Sequence, residues 1–337
     1  MYSDDELDAA VAAGALSAQS AAALRAFVAH HRAAPGADEE QFRLLTGFND
    51  IFVSIAAALM LLALAYIGGA IAGALAVAAA SWGLAEHFTR RRRMALPSIV
   101  LLVAFAVAVF ILGGLLGTAV AEVLRLGRSS STFGTAAGAV VAVVATVLHW
   151  RRFHVPVTVA VGALAGIAAA IAGVVALRPE LGESWRLMVF VAGLVLFGWA
   201  MRWDMSDPAR ITRRADVAFW LHLAAAPMIV HPVFSALGLL HGDGAATTAA
   251  AAFGLYVVLA VVALVVDRRA LLVSALIYVL YAISALVAAV GAAGVNVSLT
   301  ALLVGSGLLL LSALWHAARQ RVLRALPGGW RARLPAA

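Results

Sequence analysis

The sequence predicts an all-α polytopic membrane protein, a helical bundle of about ten spans arranged as five consecutive hairpins. Two features of the composition lead to this prediction: 64% of the 337 residues are hydrophobic, and only 12% are charged. A water-soluble domain is about half apolar and about a quarter charged. The chain therefore holds more apolar surface than a soluble core could bury. The third feature is spacing, because apolar runs of roughly 17–25 residues, long enough to cross a bilayer as helices, recur along most of the chain.

The first 46 residues differ from the rest, since they carry no long apolar run. A first helix is expected to stop at Gly14, and a second to begin after Ser17, a residue type favoured at helix N-caps. Such a pair is too small to hold a core alone. Residues 1–46 are therefore predicted to form a peripheral cytoplasmic helical segment. We expect it to dock on the bundle, on a partner protein or on a second copy of the chain.

Ten apolar runs follow, and short connections separate them. They cover residues 48–66, 68–85, 95–124, 132–149, 155–177, 185–201, 215–240, 247–266, 270–291 and 296–316. The predicted transmembrane bundle thus occupies residues 47–318, and residues 319–337 form a basic cytoplasmic tail.

The distribution of arginine predicts the orientation of these spans. With the N-terminus in the cytoplasm, the inside connections and the tail hold seventeen arginines, whereas the outside connections hold four. Basic residues are retained on the cytoplasmic side of a membrane, so both termini are predicted to be cytoplasmic. All 24 basic residues are arginine. Together with the abundant alanine and glycine, this is typical of a GC-rich bacterium and predicts the bacterial inner membrane.

The sequence also argues against several classes of function. It contains no cysteine, which excludes disulfides, zinc–thiolate sites and iron–sulfur clusters. No HExxH, GxSxG or P-loop pattern is present, so no metal, cofactor or catalytic residue is predicted. The high positive charge does not indicate nucleic acid binding, because the arginines lie in short clusters beside apolar spans. The expected partner is the lipid bilayer.

Glycines spaced four residues apart recur within the predicted spans. The pairs are Gly69/Gly73, Gly113/Gly117, Gly134/Gly138 and Gly162/Gly166. This GxxxG spacing allows helix backbones to approach closely within a bilayer, and it predicts a tightly packed bundle.

The seventh predicted span carries two histidines and two prolines in the stretch FWLHLAAAPMIVHPVF. Ionisable residues within spans are costly and indicate function by default. His222 and His231 would face opposite sides of a straight helix, but a bend at Pro227 would bring both towards one cavity. There they would bind a substrate or a proton, since histidine titrates near neutrality. The alternative is that each makes a structural hydrogen bond to a neighbouring helix.

Further polar residues lie near the predicted cytoplasmic edge. Asp50, Glu86, His87 and Asp216 are expected at similar depth, either converging into a polar vestibule that binds substrate or protons, or forming ion pairs with nearby arginines. The loop RWDMSDPARITRRAD is the most charged connection. Its arginines could bind a phosphate or an anionic lipid headgroup, or the loop is an ion-paired elbow. The arginines concerned are Arg210, Arg213 and Arg214.

The stretch LDAAVAAGALSAQSAAALRAFVAHH, followed by many short spans, resembles a family of uncharacterised bacterial multi-pass membrane proteins. The resemblance implies a short cytoplasmic helical segment ahead of a polytopic bundle. It implies no activity and supplies no catalytic residues.

The function predicted from these features is a small-molecule transporter or permease with its site near the kinked seventh span, because transporters build such sites from broken helices and intramembrane polar groups. One alternative is a non-catalytic scaffold or envelope-associated protein that acts through residues 1–46. Another is a membrane enzyme acting on lipid, with the cytoplasmic Asp, Glu, His and Arg residues as its site. An enzyme is the less favoured class.

Overall fold

The computed structural model describes residues 4–32, 48–127, 130–207, 210, 212–236, 246–269, 272–276, 279–280, 283 and 296–325. Within these ranges every regular element is a helix and none is a strand, which confirms the predicted all-helical class. The α-helices are α1 (Asp4–Ala12), α2 (Ala18–Arg32), α3 (Phe48–Gly68), α4 (Ala74–Ala85), α5 (Ala95–Val123), α6 (Ser130–Phe153), α7 (Val157–Leu177), α8 (Trp185–Met205), α9 (Arg213–Ala236), α10 (Ala246–Val266), α11 (Asn296–Ala313) and α12 (Trp315–Ala325). Short π-helical turns, Gly69–Gly73 and Glu86–Arg91, flank α4.

Residues 1–43 form a compact unit of their own, and residues 44–337 form a second. In the first unit, α1 ends just before Gly14, whose φ of +72° suits glycine best. The Ser17 hydroxyl accepts a hydrogen bond from the backbone N–H three residues further on, at 3.0 Å, and caps α2. Arg25 Nη2 donates to Asp8 Oδ1 at 2.7 Å and ties the two helices together. The predicted stop and start are confirmed.

Six described helical stretches are long and apolar enough to cross a membrane, or seven if the bent pair Ala301–Ala313 and Trp315–Ala325 counts as one span. The protein is therefore an integral membrane protein by length and composition of its helices, but the count of ten spans is not confirmed. Relative to the higher count of seven, three spans are missing. The first two predicted spans count as one because they lie in one helical run, Phe48–Arg91, the described apolar part of α10 is short, and most of 270–291 lies outside the described residues.

The run Phe48–Arg91 reverses direction at its centre. A Cβ atom placed on Gly73 would lie 3.2 Å from the Cα of Ala65, eight residues earlier. In a continuous α-helix those residues would be about 12 Å apart along the axis. Gly69 has a φ of +64° and provides the left-handed residue that breaks α3 from α4. Both helices pack against α5.

Two of the predicted glycine pairs pack against each other where α5 crosses α6. A Cβ atom on Gly113 would lie 3.0 Å from the Cα of Gly138, and one on Gly117 would lie 3.2 Å from the Cα of Gly134. Because no side chain separates the backbones here, the two helices are in close contact over two turns. The sequence predicted tight packing but not this pairing of one glycine motif with the other.

Helix α9 lies at the centre of the second unit. Half of the most apolar 18-residue stretch of α9 is buried, whereas the buried share is at most 33% in the other described helices that are long and apolar enough to cross a membrane. On one side Leu221 and Ala225 pack with α7 and α8, in a cluster that includes Ala160 and Leu196. On the other side Ala226 packs with α10 and with Trp315 of α12. Residues on α9 are therefore surrounded by protein on several sides.

Candidate functional site

A set of charged side chains is buried where α8, α9, α10 and α12 meet. We call it the buried ion network and define it as Asp204, Arg210, His222, Asp267, Arg268 and Arg319. Asp204 ends α8 and Arg210 lies in the following loop, whereas Asp267 and Arg268 come directly after α10. Helix α12 supplies Arg319.

The centre of the network is the ion pair between Asp204 and Arg268. Arg268 Nε donates to Asp204 Oδ2 at 3.2 Å, and Arg268 Nη2 donates to Asp204 Oδ1. Arg268 Nη2 also donates to the carbonyl oxygen of Ala215 on α9, at 3.3 Å. The side chains of Asp204 and Arg268 are 1% and 3% exposed, respectively. A two-fork arginine–carboxylate pair fixes geometry as well as charge, so this contact ties the end of α8 to the chain that follows α10.

His222 lies beside that ion pair on α9. Its Nδ1 is 2.8 Å from the carbonyl oxygen of Ala218, so Nδ1 carries the proton and donates it. The same nitrogen is 3.7 Å from Asp204 Oδ2. The edge of the imidazole meets the ring of Phe197 at a centroid distance of 5.0 Å. Nε2 is the basic nitrogen of this tautomer, and it is buried with no hydrogen-bond partner among the described residues.

Asp267 is contacted by side chains from two other segments of the chain, the loop before α9 and helix α12. Arg210 Nη1 and Trp315 Nε1 each donate to its carboxylate at 2.8 Å. Arg319 Nε lies 3.6 Å from the same carboxylate and donates to the carbonyl oxygen of Leu264 at 3.2 Å. The φ of Asp267 is +60°, a left-handed conformation that costs a residue with a side chain roughly 1–3 kcal/mol. The hydrogen bonds from Arg210 and Trp315, together with the nearby Arg319, hold Asp267 in it.

A further carboxylate, Asp207, links the end of α8 to the start of α9. Asp207 Oδ2 accepts hydrogen bonds from the backbone N–H of Thr212 at 2.9 Å and from its hydroxyl at 2.6 Å. Arg210, which bonds to Asp267, lies between these two residues in the sequence. Counting Asp207, three carboxylates and three guanidinium groups are buried here, so their formal charges balance.

Of the residues predicted from sequence, His222 and Arg210 belong to the network. Arg213 and Arg214 are exposed at the start of α9, and Asp216 is half-buried one turn from them. Arg268 also acts electrostatically on Asp216. His231 is half-buried further along α9, which continues as one helix through Pro227 and Pro232.

The remaining predicted residues lie on α3 and at the end of α4. Asp50 is buried at the start of α3, where the Ser54 hydroxyl donates to its carbonyl oxygen at 2.6 Å. Glu86 accepts from Arg152 Nε at 2.6 Å and from Arg152 Nη2 at 3.0 Å. His87 is exposed, with its ring against Phe88.

Sequence reasoning missed the central residues Asp204, Asp267, Arg268 and Arg319. Arg268 and Arg319 were interpreted as residues that set the membrane orientation. That interpretation explains basic residues at span ends without giving them partners. The available signal was the rarer residue: the predicted sixth and eighth spans each end near the cytoplasm with an aspartate close to arginine, in WAMRWD and VVDRR. An acidic residue there has no role in setting orientation.

The described residues contain no group of three or more His, Asp or Glu side chains suited to hold a metal ion. Comparison of the chain with protein-family models, curated proteins and solved structures finds no match. The chemistry of the buried ion network is therefore the main evidence on function.

Proposed function

We propose that the protein is a proton-coupled small-molecule transporter in which the buried ion network opens and closes one end of the bundle around α9. The observation that carries the proposal is the position of His222, fully buried beside the Asp204–Arg268 pair with Nε2 unpartnered. Ionisable groups at such positions in membrane proteins mark proton and substrate pathways.

Stability alone is a weak reason for this network. Replacing a buried ion pair by apolar residues of similar volume is often neutral or stabilising. Conformational switching gives a stronger reason, because rearranged salt bridges at interfaces are a recurrent way in which packed helices move between two states. Here the ion pairs join α8 and α9 to α10 and α12, so their exchange would release one group of helices from the other.

The neighbouring charges suggest how a proton would drive that exchange. A proton taken up at Nε2 of His222 makes the ring a cation 3.7 Å from Asp204. The imidazolium then competes with Arg268 for the carboxylate. Asp216 already interacts electrostatically with Arg268, and it offers the guanidinium a second carboxylate. In this scheme the guanidinium of Arg268 exchanges its ion pair with Asp204 for one with Asp216.

The orientation belongs to the same proposal. The distribution of arginine, seventeen against four, supports cytoplasmic termini in a bacterial inner membrane and a network at the cytoplasmic end. Arg210, Arg268 and Arg319 were predicted on that side, and their meeting in one cluster agrees with it.

The test is transport by the purified full-length chain in proteoliposomes that contain a pH-sensitive dye. Amino acids, sugars and organic acids are added in turn under an imposed pH gradient. We expect one class to move protons, the His222→Gln variant to lose that coupling, and the His316→Gln variant to retain it, because His316 is exposed on α12. A wild-type protein that moves no solute of the panel would contradict the proposal. Equal loss of coupling in both variants would contradict the role of His222.

The scaffold alternative has one observation in its favour, the compact and internally braced unit of residues 1–43. Deleting residues 1–46 distinguishes the two functions. A transporter of the proposed kind retains solute-coupled proton movement in proteoliposomes after the deletion, whereas a scaffold loses the binding of its partner and shows no transport before or after it.

A further inference from the structure

A second charged region lies at the ends of α4 and α6, away from the buried ion network in the sequence. Glu86 accepts from Arg152 at 2.6 Å and from Arg90 at 3.2 Å. This one carboxylate therefore brings together two arginine clusters that are about 60 residues apart in the sequence. We call the combined surface the basic rim and define it as Arg90–Arg93, Arg151 and Arg152, all of which are exposed.

The basic rim carries far more positive than negative charge. Glu86 pairs with Arg90 and Arg152, whereas no carboxylate among the described residues pairs with Arg91, Arg92, Arg93 or Arg151. Like charges on one surface repel one another, and an anion bound there would reduce that repulsion. Arginine binds phosphate oxygens through two parallel N–H donors, so a phosphate is the anion that this surface suits best.

An apolar stripe leads directly to these arginines along the outer face of α6. Val140, Val144 and Leu148 are 54%, 56% and 52% exposed. They are spaced four residues apart and continue in register to Arg152, so they lie on one face of the helix. Val147 is likewise exposed one turn before Arg151. The surface thus offers an acyl chain an apolar track that ends beside Arg151 and Arg152.

The position of the rim at the ends of apolar helical stretches predicts that it lies at the level of lipid headgroups. Trp150 directly precedes Arg151, and tryptophan is enriched at the level of membrane headgroups. The rim lies at the ends of two membrane-spanning stretches, Phe48–Arg91 and Ser130–Phe153. A free phosphate would be bound by the guanidinium groups alone and would make no use of the stripe.

We infer that the basic rim and the apolar stripe of α6 form a binding site for an anionic phospholipid. The headgroup phosphate lies among Arg91, Arg92 and Arg151, and one acyl chain lies along Val144 and Leu148. The inference does not depend on the transporter proposal.

The test is a titration of the purified full-length chain in detergent with fluorescent phosphatidylglycerol, compared with phosphatidylcholine that carries the same label and acyl chains. The variant Arg91→Gln/Arg92→Gln/Arg151→Gln is expected to bind phosphatidylglycerol about a hundredfold more weakly, since each arginine near a lipid surface contributes about fivefold. A matched variant, Arg125→Gln/Arg178→Gln/Arg186→Gln, removes the same charge from connections predicted on the opposite side of the membrane. It is expected to retain wild-type affinity.

Two further arms separate a lipid from other ligands. The variant Val144→Ser/Leu148→Ser keeps every arginine and is expected to weaken phosphatidylglycerol binding, whereas inorganic phosphate at millimolar concentration should not displace the lipid. Each triple variant is first checked for helical content by circular dichroism. If the rim variant does not fold, the wild-type chain is tested at high salt, which should abolish the preference for phosphatidylglycerol. Equal loss in both triple variants, equal binding of the two lipids, or displacement by phosphate alone would overturn the inference.

Discussion

His222 Nδ1 lies 3.7 Å from Asp204 Oδ2, and both side chains are buried among helices able to span a membrane. The same carboxylate accepts two hydrogen bonds from Arg268. A neutral imidazole in this position leaves the ion pair intact, whereas an imidazolium competes with the guanidinium for Asp204. In the proposed mechanism, protonation of this ring on α9 would weaken the contact that holds the chain after α10.

The first prediction concerns the loss of the charge at Asp204. In the Asp204→Asn variant Arg268 is left as a buried cation without its counter-ion, and we expect the free energy of unfolding in mixed micelles to fall by about 3–5 kcal/mol. The matched control is Glu180→Gln, because Glu180 pairs with Arg178 at 3.4 Å with both side chains largely exposed. That change should cost less than about 1 kcal/mol.

The double variant Asp204→Leu/Arg268→Met provides a second check on the same ion pair. Since both charges are removed together, most of the lost stability should return. If Asp204→Asn costs no more than Glu180→Gln, the buried ion pair is not what joins these helices.

Asp267 is predicted to tolerate asparagine better than alanine. Asparagine adopts positive φ more readily than other side-chain-bearing residues and keeps an oxygen that can accept from Trp315. Alanine loses both side-chain acceptors and keeps the strain at a φ of +60°. We expect the free energy of unfolding to fall by at least about 1 kcal/mol more for Asp267→Ala than for Asp267→Asn. Equal losses would show that neither backbone conformation nor hydrogen bonding to the remaining oxygen contributes here.

The hydrogen bond from Trp315 to Asp267 has its own test. Trp315→Phe keeps an aromatic ring in the packed cluster and next to Arg269, whose Cζ lies 4.9 Å from the Trp315 ring centroid. It removes the Nε1–H donor, so we expect a loss of about 1.5–3 kcal/mol in the free energy of unfolding, the range for a hydrogen bond to a charged group. Trp185→Phe, at a 43% exposed position, should change stability little. A Trp315→Phe variant as stable as Trp185→Phe would contradict the importance of this donor.

The crossing of α5 and α6 is predicted to reject even one methyl group. A Cβ atom on Gly138 would lie 2.5 Å from the carbonyl oxygen of Phe110 and 3.0 Å from the backbone nitrogen of Gly114. Gly138→Ala should therefore lower the thermal unfolding midpoint, with an overpacking cost of about 1–3 kcal/mol. Gly166→Ala is the control, because its Cβ atom would meet only a Val143 methyl at 3.9 Å and alanine favours the helix. The interpretation fails if both variants have the same midpoint.

Much of the fold follows from composition and spacing. Predicted spans 95–124 and 155–177 match α5 and α7 to within two residues at each end, because long apolar runs bounded by arginine leave the chain little alternative to a helix. The number of crossings was harder to predict. The run 48–91 was predicted as two spans, 48–66 and 68–85, although no charged residue separates them, and the φ of Gly69 and the approach of Gly73 to Ala65 place a reversal near that boundary.

The candidate site was predictable only where a residue was unusual for its own helix. His222 was identified because an ionisable ring within an apolar span is costly wherever it lies. Asp204 and Arg268 were not, because charges at span ends are common and their pairing depends on how separate helices meet. The pairing of the glycine motifs of α5 and α6 is a similar case: the spacing was visible, but the partner depends on the packing of the helices.

The reversal at Gly68–Gly73 also bears on the biogenesis of the protein. The stretch that turns the chain, GGAIAG, carries no ionisable side chain, so moving it across the hydrocarbon layer costs little. Within the turn the backbone N–H of Ala74 donates to the carbonyl oxygen of Ile71, and backbone groups bonded in this way cost less to bring into hydrocarbon. We therefore expect α3 and α4 to enter the bilayer together, as one helical pair.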